Sequence, residues 1–227
     1  MNIPFTLRLV IERWPALYMR LLWLKNRGRK FESYIVCEDT ELVVEGFPRC
    51  ANSFAAQSIR LLCRANGREL RFATHAHSPA HVVAGLRLEK PTLVVIREPV
   101  AAITSLQALW MQSGISIQSV NGLLRRYIQF YEMLHPYRRE IVISDFSKTT
   151  SDYPSVIREI NERFNLNLPE LGSHEELEAL VIPASKEHLS PSGKRDEVKV
   201  AIRKNFEVKA DSRLVERAEQ AYRNFIA

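Results

Sequence analysis

The sequence predicts an α/β domain built on a central parallel sheet with helices on both faces, a three-layer arrangement. Apolar, β-rich runs alternate with helical periodicities along most of the chain. Two of those runs, "TLVVIR" and "EIVISDF", are continuously apolar rather than alternating, as strands covered on both sides are. A chain of 227 residues with 46% apolar side chains is also long enough to bury one substantial core.

The elements follow in order. Residues 1–38 read as a basic, amphipathic helical segment and 39–227 as the α/β domain. The leading "LRLVIERWPALYMRLLWLK" carries a charge every few residues and Pro15 in its middle, so it holds no apolar stretch of about 20 residues that could span a bilayer. Glu12, Arg13 and Arg20 likewise interrupt what would be the apolar region of a signal peptide. Two readings remain: helices packed on the domain, or a basic, Trp-containing surface through which residues 1–30 make peripheral contact with anionic lipid. "ELVVEGF" is a short strand, "NSFAAQSIRLLCRA" has helical spacing, and "TLVVIR" is a buried strand. "PVAAITSLQALWMQ" opens with Pro99 at a first helical position, and "VNGLLRRYIQFYEMLHPY" is a second helical pattern. "EIVISDF" gives a third buried strand and "TSDYPSVIREINERFNL" a capped helix. Only "PASKEHLSPSGKRDE" is dense in polar and turn residues, and repeats are absent.

Charge and cysteine content narrow the function classes. Residues 1–30 hold seven cations and one anion, a balance of +6 that equals the whole chain's +6, so the remainder is formally neutral. No nucleic-acid partner is expected, because nothing after residue 30 interleaves cations with stacking aromatics. Three cysteines, Cys37, Cys50 and Cys63, are an odd number without a C-x-x-C pair. A disulfide framework or structural zinc site is therefore not expected, and a cytoplasmic, reduced protein is.

The chemistry concentrates where strands end. "GFPRCANSF" follows the first strand and opens the next helix, so its backbone N–H groups and the helix N-terminus would both face an anion. Arg49 adds a permanent cation, Asn52 and Ser53 add side-chain donors, and Phe54 an aromatic face. The Walker pattern is absent, since its second Gly, Lys and hydroxyl are missing at that spacing. A plainer reading is a strand-helix turn with Asn52 or Ser53 as N-cap. "RFATHAHS" places His75 after a second strand-like run, and "IREPVAAITS" places Arg97 at a strand end with Ser105 eight residues on. Arg97 could alternatively pair with Glu98 or a helix carboxylate.

Together these stretches resemble the sulfotransferases that use 3′-phosphoadenosine 5′-phosphosulfate (PAPS). That family's loop runs aromatic-Pro-cation-Ser-Gly-Thr-Thr-aromatic, and "FPRCANSF" matches it from Phe47 to Phe54. The family's T-H motif, which carries the base, matches Thr74-His75, and its R-N/D-P-x-x-x-x-x-S motif corresponds to "REPVAAITS", with Glu98 at the N/D position. The resemblance covers roughly Leu42 to Leu168 and implies a P-loop-like fold, PAPS as sulfuryl donor and an acceptor hydroxyl or amine, on carbohydrate, lipid or a small metabolite. It implies that Arg49, Cys50, Ala51, Asn52, Ser53 and Phe54 hold the 5′-phosphosulfate and adenine. Arg97 and Ser105 would hold the 3′-phosphate, with Ser192, Gly193, Lys194 and Arg195 as nearest equivalents of the family's closing basic loop. His75 would be the base and Arg49 the group that neutralises the leaving phosphate; no metal is required. Departures from the family are Cys50-Ala51 in place of Ser-Gly, Ala73 in place of a cation, and Ile143 in place of a tyrosine. If the Gly position needs a left-handed backbone, Ala51 would cost on the order of 1 kcal/mol.

Two other classes compete. One is a nucleotide-binding protein of the same fold without transfer activity. The other is a metallohydrolase ligated by His75, His77 and His81, whose H-x-H-x-x-x-H spacing puts residues 75 and 77 on one face of a strand. No Asp or Glu lies between Glu69 and Glu89 to complete such a site. Outside the metal reading, His77 and His81 are expected to be surface or capping residues near the pocket mouth.

Overall fold

The computed structural model describes residues 5–116, 118–184 and 194–227. Its sheet has four parallel strands, β1 (Leu42–Gly46), β2 (Phe72–Thr74), β3 (Thr92–Ile96) and β4 (Val142–Asp145), in the order β2-β1-β3-β4. Parallel neighbours need crossovers. Helix α3 (Asn52–Ala65) returns β1 to β2, α4 (Pro79–Arg87) returns β2 to β3, and α5 (Pro99–Gln112) with α6 (Val120–Leu134) returns β3 to β4. Beyond β4 come α7 (Phe146–Ser151), α8 (Tyr153–Phe164), α9 (His174–Ala184), α10 (Lys194–Lys209) and α11 (Ser212–Ile226). Ahead of β1 are α1 (Phe5–Ile11) and α2 (Pro15–Asn26).

The α/β class and the parallel sheet are as expected. All five residues of β1 and of β3 are buried, which is why those runs show no polar alternation, only Glu45 and Thr92 being polar. The two faces of β1 meet different partners. Val43 packs with Val36, Met19 and Ala84 on the side of α2 and α4, whereas Leu42 and Val44 join the large core with Ile59 and Leu62 of α3. Two expectations need correction. "EIVISDF" is not a buried strand: β4 is a sheet edge with Ile143 and Asp145 partly exposed. The helix expected from "TSDYPSVIREINERFNL" is two helices, α7 and α8, and Asp152 at their junction makes no side-chain cap to α8.

The leading helices lie against the domain. Arg8 donates to the carbonyls of Ala76 and His77, Gln129 of α6 donates to the Leu9 carbonyl, and Tyr18 of α2 is buried. Their outward side exposes Trp14, Leu17 and Leu24. No described helix is long and apolar enough to cross a membrane.

The sheet runs outward in opposite directions from the β1/β3 pair, to β2 on one side and to β4 on the other. Such a reversal opens a crevice at the carboxyl ends of the two central strands. The residues after Gly46 and after Ile96 are placed there by topology alone.

Candidate functional site

A cleft of about 680 Å3 lies over those strand ends. Arg49, Ala51, Asn52, Ser53, Phe54, His75 and Arg97 line it, so most of the three stretches singled out in the sequence converge. Arg8, His77 and Arg126 also reach it, and no carboxylate among the described residues does. Four of the seven described non-glycine residues with positive φ, Arg49, Ala51, His75 and His77, stand on its wall. Strained backbone concentrated in one cleft is a mark of functional sites. Of the remaining expected residues, Ser192 and Gly193 lie outside the described residues, and Lys194 and Arg195 begin α10.

The loop after β1 is shaped by contacts on both sides. A side chain at Gly46 would overlap the Val95 carbonyl oxygen, so only glycine lets β1 and β3 stay paired to their ends. Arg49 (φ 71°) and Ala51 (φ 75°) then turn the chain through left-handed conformations, and the loop does use the geometry that glycine would favour. Cys50 does not face a ligand. It is fully buried with Sγ 3.5 Å from the Tyr131 hydroxyl, and burial pushes its thiol pKa up to about 12, so it can offer only its backbone. Asn52 turns its amide inward, donating Nδ2–H to the Phe47 carbonyl at 2.9 Å. Neither Asn52 nor Ser53 is the N-cap: Ala51 occupies that position and makes no side-chain cap. With no side-chain cap and residues 51–54 lining the cleft, an anion there could meet the first-turn N–H groups of α3.

Arg97 fastens the loop to the neighbouring strands. Its Nη1 donates to the Arg49 carbonyl at 3.2 Å, and its guanidinium lies 3.9 Å over the ring centroid of Phe146, the first residue after β4. Arg49 in turn donates Nε–H to Ser105 Oγ at 3.1 Å, although Ser105 is not itself on the cleft wall. Glu98 is not the partner of Arg97, since its carboxylate accepts from the N–H groups of Val100 and Ala101 and caps α5. Phe54 presents its ring to the cleft with the Tyr153 ring against it at 5.6 Å.

The histidines separate into different roles. Strand β2 stops at Thr74, so His75 (φ 63°) and His77 (φ 47°) sit on a turn and do not share a strand face. The His75 ring stands edge-on to Tyr34 and to His77, and burial lowers its pKa, with the Glu45 charge opposing and Arg60 adding to the shift. His77 Nδ1 lies 2.9 Å from the Gly46 carbonyl oxygen. A carbonyl can only accept, so Nδ1 carries the proton and Nε2 keeps its lone pair. Burial pulls the His77 pKa down to about 4, leaving it neutral near pH 7. His81 is not at the surface at all. It is fully buried, with Nε2 accepting from the Val36 N–H and Nδ1 donating to Glu45, both at 2.9 Å.

Glu45 is the residue sequence reasoning missed. Fully buried in β1, it accepts from the N–H groups of Ala76 and His77 as well as from His81, and so holds the strained histidine turn against the first strand. Burial raises its pKa, but the hydrogen bond from His81, the nearness of the His77 ring and the Ala76 N–H together bring it below the usual carboxylate value. Its signal was a carboxylate inside a continuous apolar run, which demands partners. Arg126 had a similar signal: Leu123, Phe130 and Leu134 place it on the buried face of α6. With both His81 nitrogens engaged inside the fold, the three-histidine metal site loses its third ligand. No cluster of three His, Cys, Asp or Glu able to hold a metal occurs among the described residues.

Compared with known proteins, the chain matches no family model, no curated protein and no solved structure, and a functional reading rests on the cleft itself.

Proposed function

We propose that the cleft binds PAPS in a P-loop-like domain and that the protein transfers the sulfuryl group to a hydroxyl or amine of an acceptor. One observation carries this reading: the uncapped N-terminus of α3, Arg49, Arg97 and His75 line one cleft that no described carboxylate lines. Anionic groups are what such a cleft stabilises. The first-turn N–H groups of α3 with Arg49 would hold the 5′-phosphosulfate, Arg97 the 3′-phosphate with Ser105 supporting it through Arg49, and Phe54 one face of the adenine.

The reaction is an in-line displacement. The acceptor oxygen or nitrogen forms a bond to sulfur while the bond from sulfur to the 5′-phosphate oxygen breaks, and 3′,5′-diphosphoadenosine leaves. Positioning and charge stabilisation do most of the work in such transfers, by analogy with phosphoryl transfer. Arg49 neutralises the charge growing on the leaving phosphate, and His75 receives the acceptor's proton. A nucleotide-binding protein without transfer activity is the second reading, favoured by the bond that already engages Arg49 with Ser105. The exposed Trp14, Leu17 and Leu24, set among the exposed Arg13, Arg20 and Arg27, form the surface through which the leading helices would rest on anionic lipid.

Calorimetry with 3′,5′-diphosphoadenosine, ATP and zinc separates these classes. The expected result is micromolar or tighter binding of the diphosphoadenosine, a matching rise in melting temperature, and an Arg97→Ala variant that no longer prefers it over adenosine 5′-phosphate. No thermal shift at millimolar diphosphoadenosine overturns the assignment.

A further inference from the structure

Two arginines outside the proposed donor contacts meet at the histidine end of the cleft. Arg126 comes from α6 and Arg8 from α1, and both guanidiniums donate to a single oxygen, the His77 carbonyl, at 3.1 and 3.2 Å. Both line the cleft. Like charges brought to one acceptor repel each other unless something negative lies between or beside them.

Their surroundings differ. Arg8 is compensated, with Nε 2.8 Å from Glu12 Oε1, and the same Nη2 that reaches the His77 carbonyl lies 2.7 Å from the Ala76 carbonyl. Arg126 is 7% exposed, and its Nε is buried without a hydrogen-bond partner. It pairs with no carboxylate among the described residues; its other neighbour is the Phe47 ring, 5.9 Å from the guanidinium carbon. Glu12 and Glu45, the carboxylates whose charges reach it, are engaged with Arg8 and with the His81 and Ala76–His77 groups. Burial, and then the Arg8 charge, lower the Arg126 pKa to about 10, which still leaves a cation near pH 7. A buried cation that no carboxylate pairs, lining a cleft, is the arrangement of a site awaiting an anion.

We infer that Arg126, assisted by Arg8, binds an anionic group carried by the acceptor itself, a carboxylate, phosphate or sulfate ester, and so orients a neighbouring hydroxyl toward His75. This presupposes the donor site proposed above and adds a substrate class: a hydroxylated acceptor with its own negative charge, such as an acidic sugar, a soluble phosphate ester or a phospholipid headgroup.

The probe is inorganic phosphate, titrated by calorimetry into protein saturated with 3′,5′-diphosphoadenosine. One further phosphate should bind, at least about tenfold more weakly in Arg126→Met and in Arg8→Met, with partial recovery in Arg126→Lys. Should the nucleotide itself fail to bind, the same titration is run on Arg49→Ala protein without it. A phosphate site that still depends on Arg126 there supports the subsite while the donor reading falls. Competition against phosphate by glycerol 3-phosphate points to a soluble acceptor, and competition by phosphatidylglycerol vesicles to a lipid headgroup. Phosphate binding that is equal in wild type, Arg126→Met and Arg8→Met, or absent from all of them, overturns the inference. Because Arg8 is partly exposed, its variant keeps the test open if Arg126→Met does not fold.

Discussion

Arg49 and Ser105, 56 positions apart in the chain, are joined directly: Arg49 Nε donates to Ser105 Oγ at 3.1 Å. The cation of the β1 loop and the hydroxyl of α5 are thereby one unit before any ligand arrives. Arg97 completes it by donating to the Arg49 carbonyl. Residues linked in this way should not act independently on a ligand they share.

Ser105→Ala should therefore weaken 3′,5′-diphosphoadenosine binding by about 1 kcal/mol, and Arg49→Ala by about 1.5 to 3 kcal/mol, since the latter removes a charged donor. In the double variant the two losses should fall short of adding, by about 0.5 kcal/mol or more. Calorimetric affinities for the four proteins give the coupling directly. Strict additivity would show that the bond in the free protein has no bearing on the bound state.

The loop geometry makes a separate forecast about stability. Ala51 holds φ at 75°, a conformation that penalises a Cβ, and the sulfotransferase loop it resembles places glycine there. Ala51→Gly should raise the urea midpoint, with a gain on the order of 1 kcal/mol or somewhat less once the greater freedom of glycine in the unfolded chain is counted. Gly46→Ala should do the reverse, costing about 1 to 3 kcal/mol as β1 and β3 are forced apart at the cleft floor. A neutral result at position 51 would mean that the turn relaxes away from the left-handed region.

How much of this was legible beforehand depends on the range of the interaction. The strands β1 and β3, the alternation with helices and the placement of Arg49, His75 and Arg97 at strand ends follow from local pattern, because burial on two faces and crossover topology leave a periodic trace. The roles of Glu45, His81 and Arg126 do not, because each is set by partners 31 to 49 positions away. The sequence window between Glu69 and Glu89 contained no carboxylate, yet Glu45 reaches the histidines across the β1/β2 pairing. Cys50 and Asn52 were misread for a related reason: in a turn, residue type does not reveal which side chains point inward.

Acid should destabilise the protein through the histidine turn. His77 stays neutral in the folded state down to about pH 4, whereas in the unfolded chain it takes up a proton near pH 6.5. The unfolded state therefore binds more protons between those values. Stability is fully present above about pH 6.5 and declines on acidification toward pH 4, by up to about 1.4 kcal/mol per pH unit. Glu45, with its lowered pKa, extends the loss in the same direction as the pH falls further, since its protonated form cannot accept from Ala76, His77 and His81 together. His77→Gln should flatten the decline between pH 6.5 and 4 and leave the steeper fall below it. Urea midpoints at several pH values in both proteins check this, and parallel curves would remove His77 from the explanation.

Under the proposed transfer, the contrast between the two cleft histidines selects His75 as the base. His77 is held by the Gly46 carbonyl and titrates at about 4, too low to match a transfer near neutral pH, while His75 makes only ring contacts and has a pKa lowered by burial but opposed by Glu45. His75→Ala should then lower the transfer rate by about 10² or more and leave diphosphoadenosine affinity nearly unchanged, because in the proposed reaction the imidazole would face the acceptor. In the wild type, kcat/KM should rise with pH through a midpoint below 6.5, the reference value for histidine, and that limb should vanish in the variant. Added imidazole should restore part of the rate in His75→Ala, which a merely structural role would not allow. His77→Ala and His81→Ala should lose stability first, through the Gly46 and Glu45 contacts, and activity per folded molecule much less. Comparable losses of activity in all three variants, reproduced by a chelator, would point back to a metal, and full activity in His75→Ala would end its assignment as the base.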